Sequence, residues 1–155
     1  MKLPKTKGTQ SRSVPRKPQS FQLIFSEVLP SDTNLVEAAV SRLVEALVAN
    51  NCVNGQCSAV EVALREALAN AILHGNEKDS QKKVELDCLK HADGSVTLVV
   101  RDEGQGFDPA SVPDPTLPEN IYSASGRGIY LIRSFMDEVR FRRGGSEIRM
   151  KKNKP

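Results

Sequence analysis

Two polar residues are set four positions apart in an otherwise apolar segment. We predict a helix over residues 58–74, and because most of its circumference is apolar it should be largely buried. Glu66 and Asn70 would then lie about one turn apart on the same face of this helix. A carboxylate and an amide in buried surroundings need polar partners. They are either two satisfied core residues or the ligands of a polar molecule or a metal ion.

Two glycine-rich segments follow further along the chain. In the first, a β-branched strand over residues 95–101 leads into Asp102-Glu103-Gly104-Gln105-Gly106. In the second, Gly126-Arg127-Gly128 opens an apolar segment that we predict to be a helix. Each Gly-x-Gly is common by itself. The ordered set is more specific: Glu-x-x-x-Asn on a helix, then a strand with Asp-x-Gly-x-Gly, then Gly-x-Gly before a helix.

This ordered set resembles the N, G1 and G2 boxes of the Bergerat-fold ATPases, the GHKL superfamily that includes gyrase and the histidine kinases. Within that superfamily, the motif Glu-Ala-x-x-Asn-Ala-x-x-His-Gly over residues 66–75 is most similar to the stand-alone serine/threonine kinases that act as bacterial anti-sigma factors. The resemblance covers about residues 21–152. It implies binding of Mg-ATP (ATP and Mg²⁺ as cofactors) and phosphoryl transfer.

The resemblance assigns a role to each motif residue. Glu66 would be the general base for the attacking hydroxyl, and Asn70 would hold Mg²⁺ through its side-chain oxygen. Asp102 would accept a hydrogen bond from the adenine amino group. The other nucleotide-binding candidates are Gly104, Gly106, Gly126, Gly128, Arg127 and Ser146. A solvated arginine and an ordinary turn serine are the alternative interpretations of the last two, and His74 is predicted to be a packed or capping residue.

The elements around these motifs predict an α+β fold. Alternating and β-branched patterns predict strands over residues 21–28, 83–89, 95–101, 138–142 and 147–150. Helical patterns cover residues 32–50, 58–74 and 128–137. Strands grouped as hairpins favour a two-layer α/β sandwich, with a mixed, mostly antiparallel sheet and the helices on one face, as in a histidine-kinase-like ATPase domain.

Local signals add three predictions to this outline. Ser58 and Glu61 have the spacing of a capping box at the start of the central helix, and Gly75 is placed to cap its end. Residues 108–125 contain four prolines, so we predict a long irregular loop there. Loops of this length are usually functional, and this one would serve as a lid.

The first 20 residues differ in composition from the rest of the chain. They contain six of the 22 Lys and Arg residues and no Asp or Glu, so the net charge of +3 arises from this segment. We predict a basic, disordered N-terminal tail over residues 1–20, followed by a single ATP-binding kinase domain over residues 21–152. The tail has no aromatic residue that could stack on bases, so we expect no direct nucleic acid binding.

Cysteine usage and hydropathy indicate the compartment. The three cysteines show no Cys-x-x-Cys spacing, which favours free thiols in a reducing environment over disulfides or a metal site. The chain has no run of 18 apolar residues, and its basic start lacks the apolar segment of a secretory signal. We therefore expect a cytoplasmic protein that does not associate with a membrane.

Three functions are compatible with the motifs. The resemblance implies first a serine/threonine protein kinase that sequesters a sigma factor, phosphorylates an anti-anti-sigma antagonist and forms a homodimer. In such kinases an Arg of the first helix commonly contacts the partner; here that position falls near Glu37, with Arg42 further along. The second function is an ATP-dependent partner-binding module without kinase activity. The third is a detached sensor-histidine-kinase catalytic domain that acts on another chain.

Overall fold

The computed structural model describes residues 20–54, 56–112, 116–117 and 126–155. Nearly all of the predicted tail and most of the predicted lid lie outside the described residues. The strands are β1 Phe21–Pro30, β2 Lys83–His91, β3 Val96–Arg101, β4 Glu138–Arg142 and β5 Glu147–Lys152. The α-helices are α1 Val36–Ala49, α2 Cys57–Asn70 and α3 Arg127–Phe135.

The five strands form one sheet in the order β1-β2-β3-β5-β4. Short turns join β2 to β3 and β4 to β5, which makes both pairs antiparallel hairpins. The pairs β1–β2 and β3–β5 are antiparallel as well. The predicted α+β fold with a mostly antiparallel sheet is confirmed, and every pairing among the described strands is antiparallel.

The hydrophobic core lies between the helices and one face of the sheet. In β2, the buried Val84, Leu86 and Cys88 alternate with Glu85 and Asp87, which project from the opposite face. The same core cluster includes Leu43, Leu47, Leu64 and Leu68 from α1 and α2. This burial pattern agrees with the prediction that the helices cover one face. None of the helices within the described ranges has the length and apolarity needed to cross a bilayer.

The ends of the central helix differ from their predictions. α2 begins at Cys57 after Gln56 and has no side-chain capping hydrogen bond. Ser58 therefore lies already inside the first turn, where it forms no capping box with Glu61. At the other end the chain continues through a π-helical turn, Ala71–Gly75, so Gly75 is part of that turn and has no positive φ.

Candidate functional site

The two polar residues of α2 face the start of α3. A Cβ atom placed on Gly128 would lie 2.9 Å from Oε2 of Glu66 and 3.1 Å from Nδ2 of Asn70. These separations are shorter than ordinary van der Waals contact, so glycine allows α3 to approach α2 this closely. Glu66, Asn70 and the N-terminus of α3 therefore meet at one point, as the four-residue spacing predicted for the first two.

The N-terminus of α3 has features that favour the binding of an anion. Gly126 precedes the helix in a left-handed conformation, with φ 82°. The first turn closes when the N–H of Tyr130 donates to the Gly126 carbonyl at 2.9 Å. The earlier N–H groups of a helix have no acceptor within it, and the helix dipole favours negative charge there. A phosphate group would be stabilised at this end of α3.

A cavity of about 420 Å³ opens beside this junction. Its volume falls within the range of about 300–1,000 Å³ that is typical of small-molecule sites. Six predicted site residues line it: Asn70, Asp102, Gly106, Gly126, Gly128 and Ser146. The other three predicted residues, Glu66, Gly104 and Arg127, are not part of the lining. Glu66 lies beside Gly128 next to it, and Arg127 is exposed at the start of α3.

Asp102 follows directly after β3, and its carboxylate lines the cavity. Its backbone N–H donates to the carbonyl of Ser146 at 2.9 Å, and its Oδ1 accepts from the N–H of Gly104 at 2.7 Å. Oδ2 accepts no hydrogen bond from any residue in the described ranges. Burial raises the pKa of Asp102, partly offset by the Gly104 N–H and the positive charge of Lys82. This carboxylate therefore has an acceptor oxygen available for a ligand.

Two glycines make the position of Asp102 possible. A Cβ atom on Gly75 would collide with the Asp102 carboxyl group, and one on Gly104 would collide with the Gly75 carbonyl. Both residues are thus required for close packing. Gly75 is not the helix cap that the sequence predicted, because its lack of a side chain admits Asp102 instead. Gly104 approaches the protein backbone rather than the cavity.

The family model of the histidine kinase-like ATPase domain matches residues 29–152. The chain belongs to this family. An anti-sigma F factor of Priestia megaterium is 38% identical over 84 residues, which are 52% of this chain and 56% of that protein. An anti-sigma F factor of Clostridium botulinum is 32% identical over 108 residues, 63% of this chain and 71% of that protein. The serine-protein kinase RsbW of Staphylococcus epidermidis is 33% identical over 85 residues, 51% and 54% of the two chains.

The relatives confirm the resemblance to anti-sigma factor kinases that the three motifs carry. The matched segment spans little more than half the length of the Priestia and Staphylococcus relatives. A crystal structure of RsbU and RsbW domains from Mycobacterium tuberculosis has the same fold, with a TM-score of 0.58 at 18% identity. That match covers 90% of this chain and 33% of the other.

In this histidine kinase-like ATPase domain, the cavity has an apolar interior. Its apolar lining residues are Ala67, Ala71, Val100, Phe107, Val112, Ile129, Phe141 and Ile148. The rings of Phe107 and Phe141 contact edge to face, with centroids 5.3 Å apart. A flat heterocycle could pack against such walls. The sequence prediction missed both phenylalanines; the position of Phe107 directly after Gly106 was the available signal.

The turn between β4 and β5 supports the glycine-rich loop of the ATPase domain. Gly106 has a φ of 79°, and a Cβ atom there would collide with the Gly144 carbonyl. That carbonyl accepts a hydrogen bond from the N–H of Phe107 at 2.9 Å. Ser146 both lines the cavity and acts as a turn residue, since its hydroxyl donates to the Arg143 carbonyl at 3.0 Å.

The π-helical turn after Asn70 was not predicted. It closes when the N–H of Asn76 donates to the Ala71 carbonyl at 2.8 Å, five residues back. The wider turn brings His74 and Gly75 to the cavity wall, and His74 is exposed there rather than packed. Such turns within helices occur frequently at functional sites.

The donor atoms around Asn70 fit a magnesium ion that arrives with phosphate. Mg²⁺ usually takes one or two protein oxygens and completes its shell with phosphate and water. The amide of Asn70 and the carboxylate of Glu66 face the same space beside Gly128. Within the described ranges no group of three or more His, Cys, Asp or Glu residues could hold a metal. All three cysteines are free thiols, as predicted.

Proposed function

We propose that this chain is a Mg-ATP-dependent serine/threonine protein kinase that acts as an anti-sigma factor in the bacterial cytoplasm. It would bind a sigma factor, phosphorylate an anti-anti-sigma antagonist and work as a homodimer. One observation carries the proposal: Glu66, Asn70 and the N-terminus of α3 meet beside the cavity that contains Asp102. The names of the relatives, anti-sigma F factor and serine-protein kinase, support the class of partner.

Asp102 would select adenine. Its Oδ2 can accept a hydrogen bond from the exocyclic amino group of adenine. Guanine presents a carbonyl oxygen at the equivalent position, and two acceptors facing each other repel. The apolar walls formed by Phe107 and Ile129 would remove the base from water. The raised pKa of Asp102 reflects its partial burial in the same cavity.

Asn70 and the N-terminus of α3 would hold the phosphates. Gly126 and Gly128 at the start of α3 line the cavity, where the first N–H groups of the helix would bind phosphate oxygens. The side-chain oxygen of Asn70 would hold Mg²⁺. Bound with ATP, this ion neutralises negative charge on the phosphates.

Glu66 would take the proton of the attacking hydroxyl. As the serine or threonine oxygen of the antagonist bonds to the γ-phosphorus, its proton passes to the Glu66 carboxylate. The bond from the γ-phosphorus to the bridging oxygen breaks, and ADP leaves with that oxygen. Glu66 lies beside Gly128 at the edge of the cavity, where a protein substrate could reach it.

A phosphotransfer assay tests the proposal. Wild type, Glu66→Ala and Glu61→Ala are incubated with labelled Mg-ATP and candidate antagonist proteins. We expect acid-stable phosphoserine or phosphothreonine with wild type, and transfer slower by about 10²- to 10⁴-fold in Glu66→Ala with nucleotide binding retained. Glu61 lies on the same helix outside the cavity lining, so Glu61→Ala should behave like wild type.

Each other result of this assay points to a different function. Unchanged transfer in Glu66→Ala would remove Glu66 as the base. Acid-labile phosphohistidine would favour a detached sensor-kinase domain. Nucleotide binding without transfer to any partner would favour the ATP-dependent binding module.

A further inference from the structure

A single buried amide links three segments around the candidate site. The side chain of Asn76 is 0% exposed at the end of the π-helical turn. Its Nδ2 donates to Oγ of Ser31 at 2.7 Å and to the carbonyl of Lys83 at 2.9 Å. Its Oδ1 accepts from the backbone N–H of Glu103 at 2.8 Å. Asn76 thus joins the segment after β1, the start of β2 and the loop after β3.

The partners of Asn76 require an amide at this position. The Lys83 carbonyl can only accept a hydrogen bond, and the Glu103 N–H can only donate one. An amide satisfies both, because it has donors at one end and an acceptor at the other. A buried polar group that lost these partners would be costly. No other uncharged side chain of this size presents a donor to the Lys83 carbonyl and an acceptor to the Glu103 N–H at once.

The third hydrogen bond acts on the loop that carries Asp102. Glu103 follows Asp102 directly, and its own carboxylate accepts from the N–H of Lys83 at 2.6 Å. On the other side, the Asp102 N–H is bound to Ser146. Hydrogen bonds therefore fix the loop on two sides. Ser146, directly before β5, binds it on one side, and Asn76 together with Lys83 at the start of β2 binds it on the other. The Asp102 carboxylate projects between these two attachments.

Backbone strain accompanies the burial of Asn76. The next two residues, Glu77 and Lys78, have left-handed φ angles of 53° and 59°. This conformation is unfavourable for residues with side chains and persists only where surrounding contacts enforce it. The hydrogen bonds of Asn76 supply contacts of that kind at the entrance to this tight turn.

We propose that Asn76 is a positioning residue that sets the selectivity of the site for adenine. Through the Glu103 backbone it holds the Asp102 carboxylate toward the cavity. The inference rests on the proposed function, because selectivity requires a nucleotide in that cavity. Asn76 itself does not line the cavity and so acts through Asp102.

Calorimetric titrations of Mg-ATP, Mg-GTP and inorganic tripolyphosphate test the role. In Asn76→Ala we expect ATP affinity to fall about tenfold, the effect of losing the hydrogen bond between Asp102 and the adenine amino group. The affinities for GTP and tripolyphosphate should stay unchanged. The control is Ser31→Ala, which removes one partner of Asn76 but leaves its bond to Glu103. It should keep the wild-type ratio of ATP to GTP affinity. Equal losses for all three probes in Asn76→Ala would indicate a merely structural residue and overturn the inference.

A second variant decides the matter if Asn76→Ala does not fold. Asn76→Ser keeps a polar side chain, but its hydroxyl is one bond shorter than the amide and does not reach the Glu103 N–H as Oδ1 does. We expect the ATP-to-GTP ratio to fall as described for Asn76→Ala; an unchanged ratio would overturn the inference.

The wild-type titrations separate the inference from the proposed function. Wild-type protein that binds none of the probes would overturn the proposed function, and the inference with it. Wild-type protein that binds ATP and GTP equally would overturn the inference and the adenine selection by Asp102, but not the proposed phosphotransfer.

Discussion

At the scale of single residues, Asp102 combines two opposing requirements. Burial raises the pKa of its carboxyl group, so the ionised form is unfavourable in the nucleotide-free protein. The same ionised form is the better acceptor for an amino group. Because the folded pKa lies above the ordinary value, the contribution of Asp102 to stability falls as the pH rises through that interval. The carboxylate proposed to bind adenine thus destabilises the nucleotide-free protein.

We therefore expect Asp102→Asn to raise the melting temperature of the nucleotide-free protein at neutral pH and to weaken ATP binding. In wild type, ATP affinity should decrease as the pH falls through the raised pKa of Asp102, since protonation removes the charged acceptor. Thermal unfolding and calorimetry from the ordinary Asp pKa of about 3.9 up to pH 8 measure both effects. Asp79→Asn, at an exposed turn outside the cavity lining, serves as the control. A variant that melts lower and binds ATP normally would contradict this account.

At the scale of elements, the junction of α2 and α3 determines whether the site is assembled. α3 packs on α2 with Gly128 against Glu66 and Asn70. The lack of a side chain at Gly128 is unfavourable for the helix itself, since glycine is a poor helix former. Its presence inside α3 is explained by the close approach of the two helices.

Gly128→Ala should separate stability from activity. Alanine improves helix propensity by at most about 1 kcal/mol, while its methyl group would displace the ends of the Glu66 and Asn70 side chains. We expect unchanged or slightly higher thermal stability and phosphotransfer at least about tenfold slower, in line with the sensitivity of catalysis to small misplacements.

Gly144→Ala is the matched control for Gly128→Ala. Its Cβ atom would meet nothing within 4 Å, but the residue has a φ of 65°. Alanine there should cost about 1–2 kcal/mol of stability and leave the transfer rate of the folded protein unchanged. A normal transfer rate in Gly128→Ala would show that the junction tolerates a methyl group.

At the scale of the whole molecule, ion pairs on the sheet face opposite the helices stabilise the register of β3 and β5. Arg101 donates to Asp87 at 2.7 Å and to Glu147 at 2.6 Å, and Arg149 donates to Glu147 at 2.7 Å. The side chain of Glu147 is only 3% exposed. Arg101 and Glu147 are paired directly across the ladder. Arg101 immediately precedes Asp102, and Glu147 immediately follows Ser146. The network thus fixes the strand ends from which the site projects.

Glu147 makes stability depend on acid pH. Burial by itself raises the pKa of Glu147, but the hydrogen bonds and charges of Arg149 and Arg101 outweigh it and lower the pKa. The resulting stabilisation is present above the ordinary glutamate pKa of about 4.3 and is lost as the pH falls through the lowered value. We expect Glu147→Gln to be less stable at pH 7 by about 1–3 kcal/mol.

The difference between wild type and Glu147→Gln should shrink as the pH falls from about 4.3 through the lowered pKa of Glu147, below which both side chains are uncharged. Denaturant unfolding from pH 3 to 8 measures it. Glu138→Gln, on the edge strand β4 with exposed ion pairs, should change stability little. A pH-independent difference for Glu147→Gln would mean that its packing, not its charge, stabilises the sheet.

Local sequence determined most of the fold and part of the candidate site. Helical spacing alone places Glu66 and Asn70 on one face, and alternating and β-branched patterns predict the strands that the structure contains. These features depend on residues a few positions apart, whose relative geometry a helix or strand imposes. The order of the three motifs along the chain indicated the family, which the family model confirms. Six of the nine predicted site residues line one cavity, and what each of them does remains a prediction.

Tertiary contacts decided the rest. The capping role predicted for Gly75 was wrong because Gly75 packs directly against the carboxyl group of Asp102, 27 residues further along. Likewise, the role proposed for Asn76 depends on its hydrogen bond to Glu103, 27 residues further along, and the Phe107–Phe141 contact joins a loop to an edge strand. The sequence determined which polar and flexible residues were available near the site. Only folding decided which of them lie within hydrogen-bonding or van der Waals distance, because those distances are set by packing between remote segments.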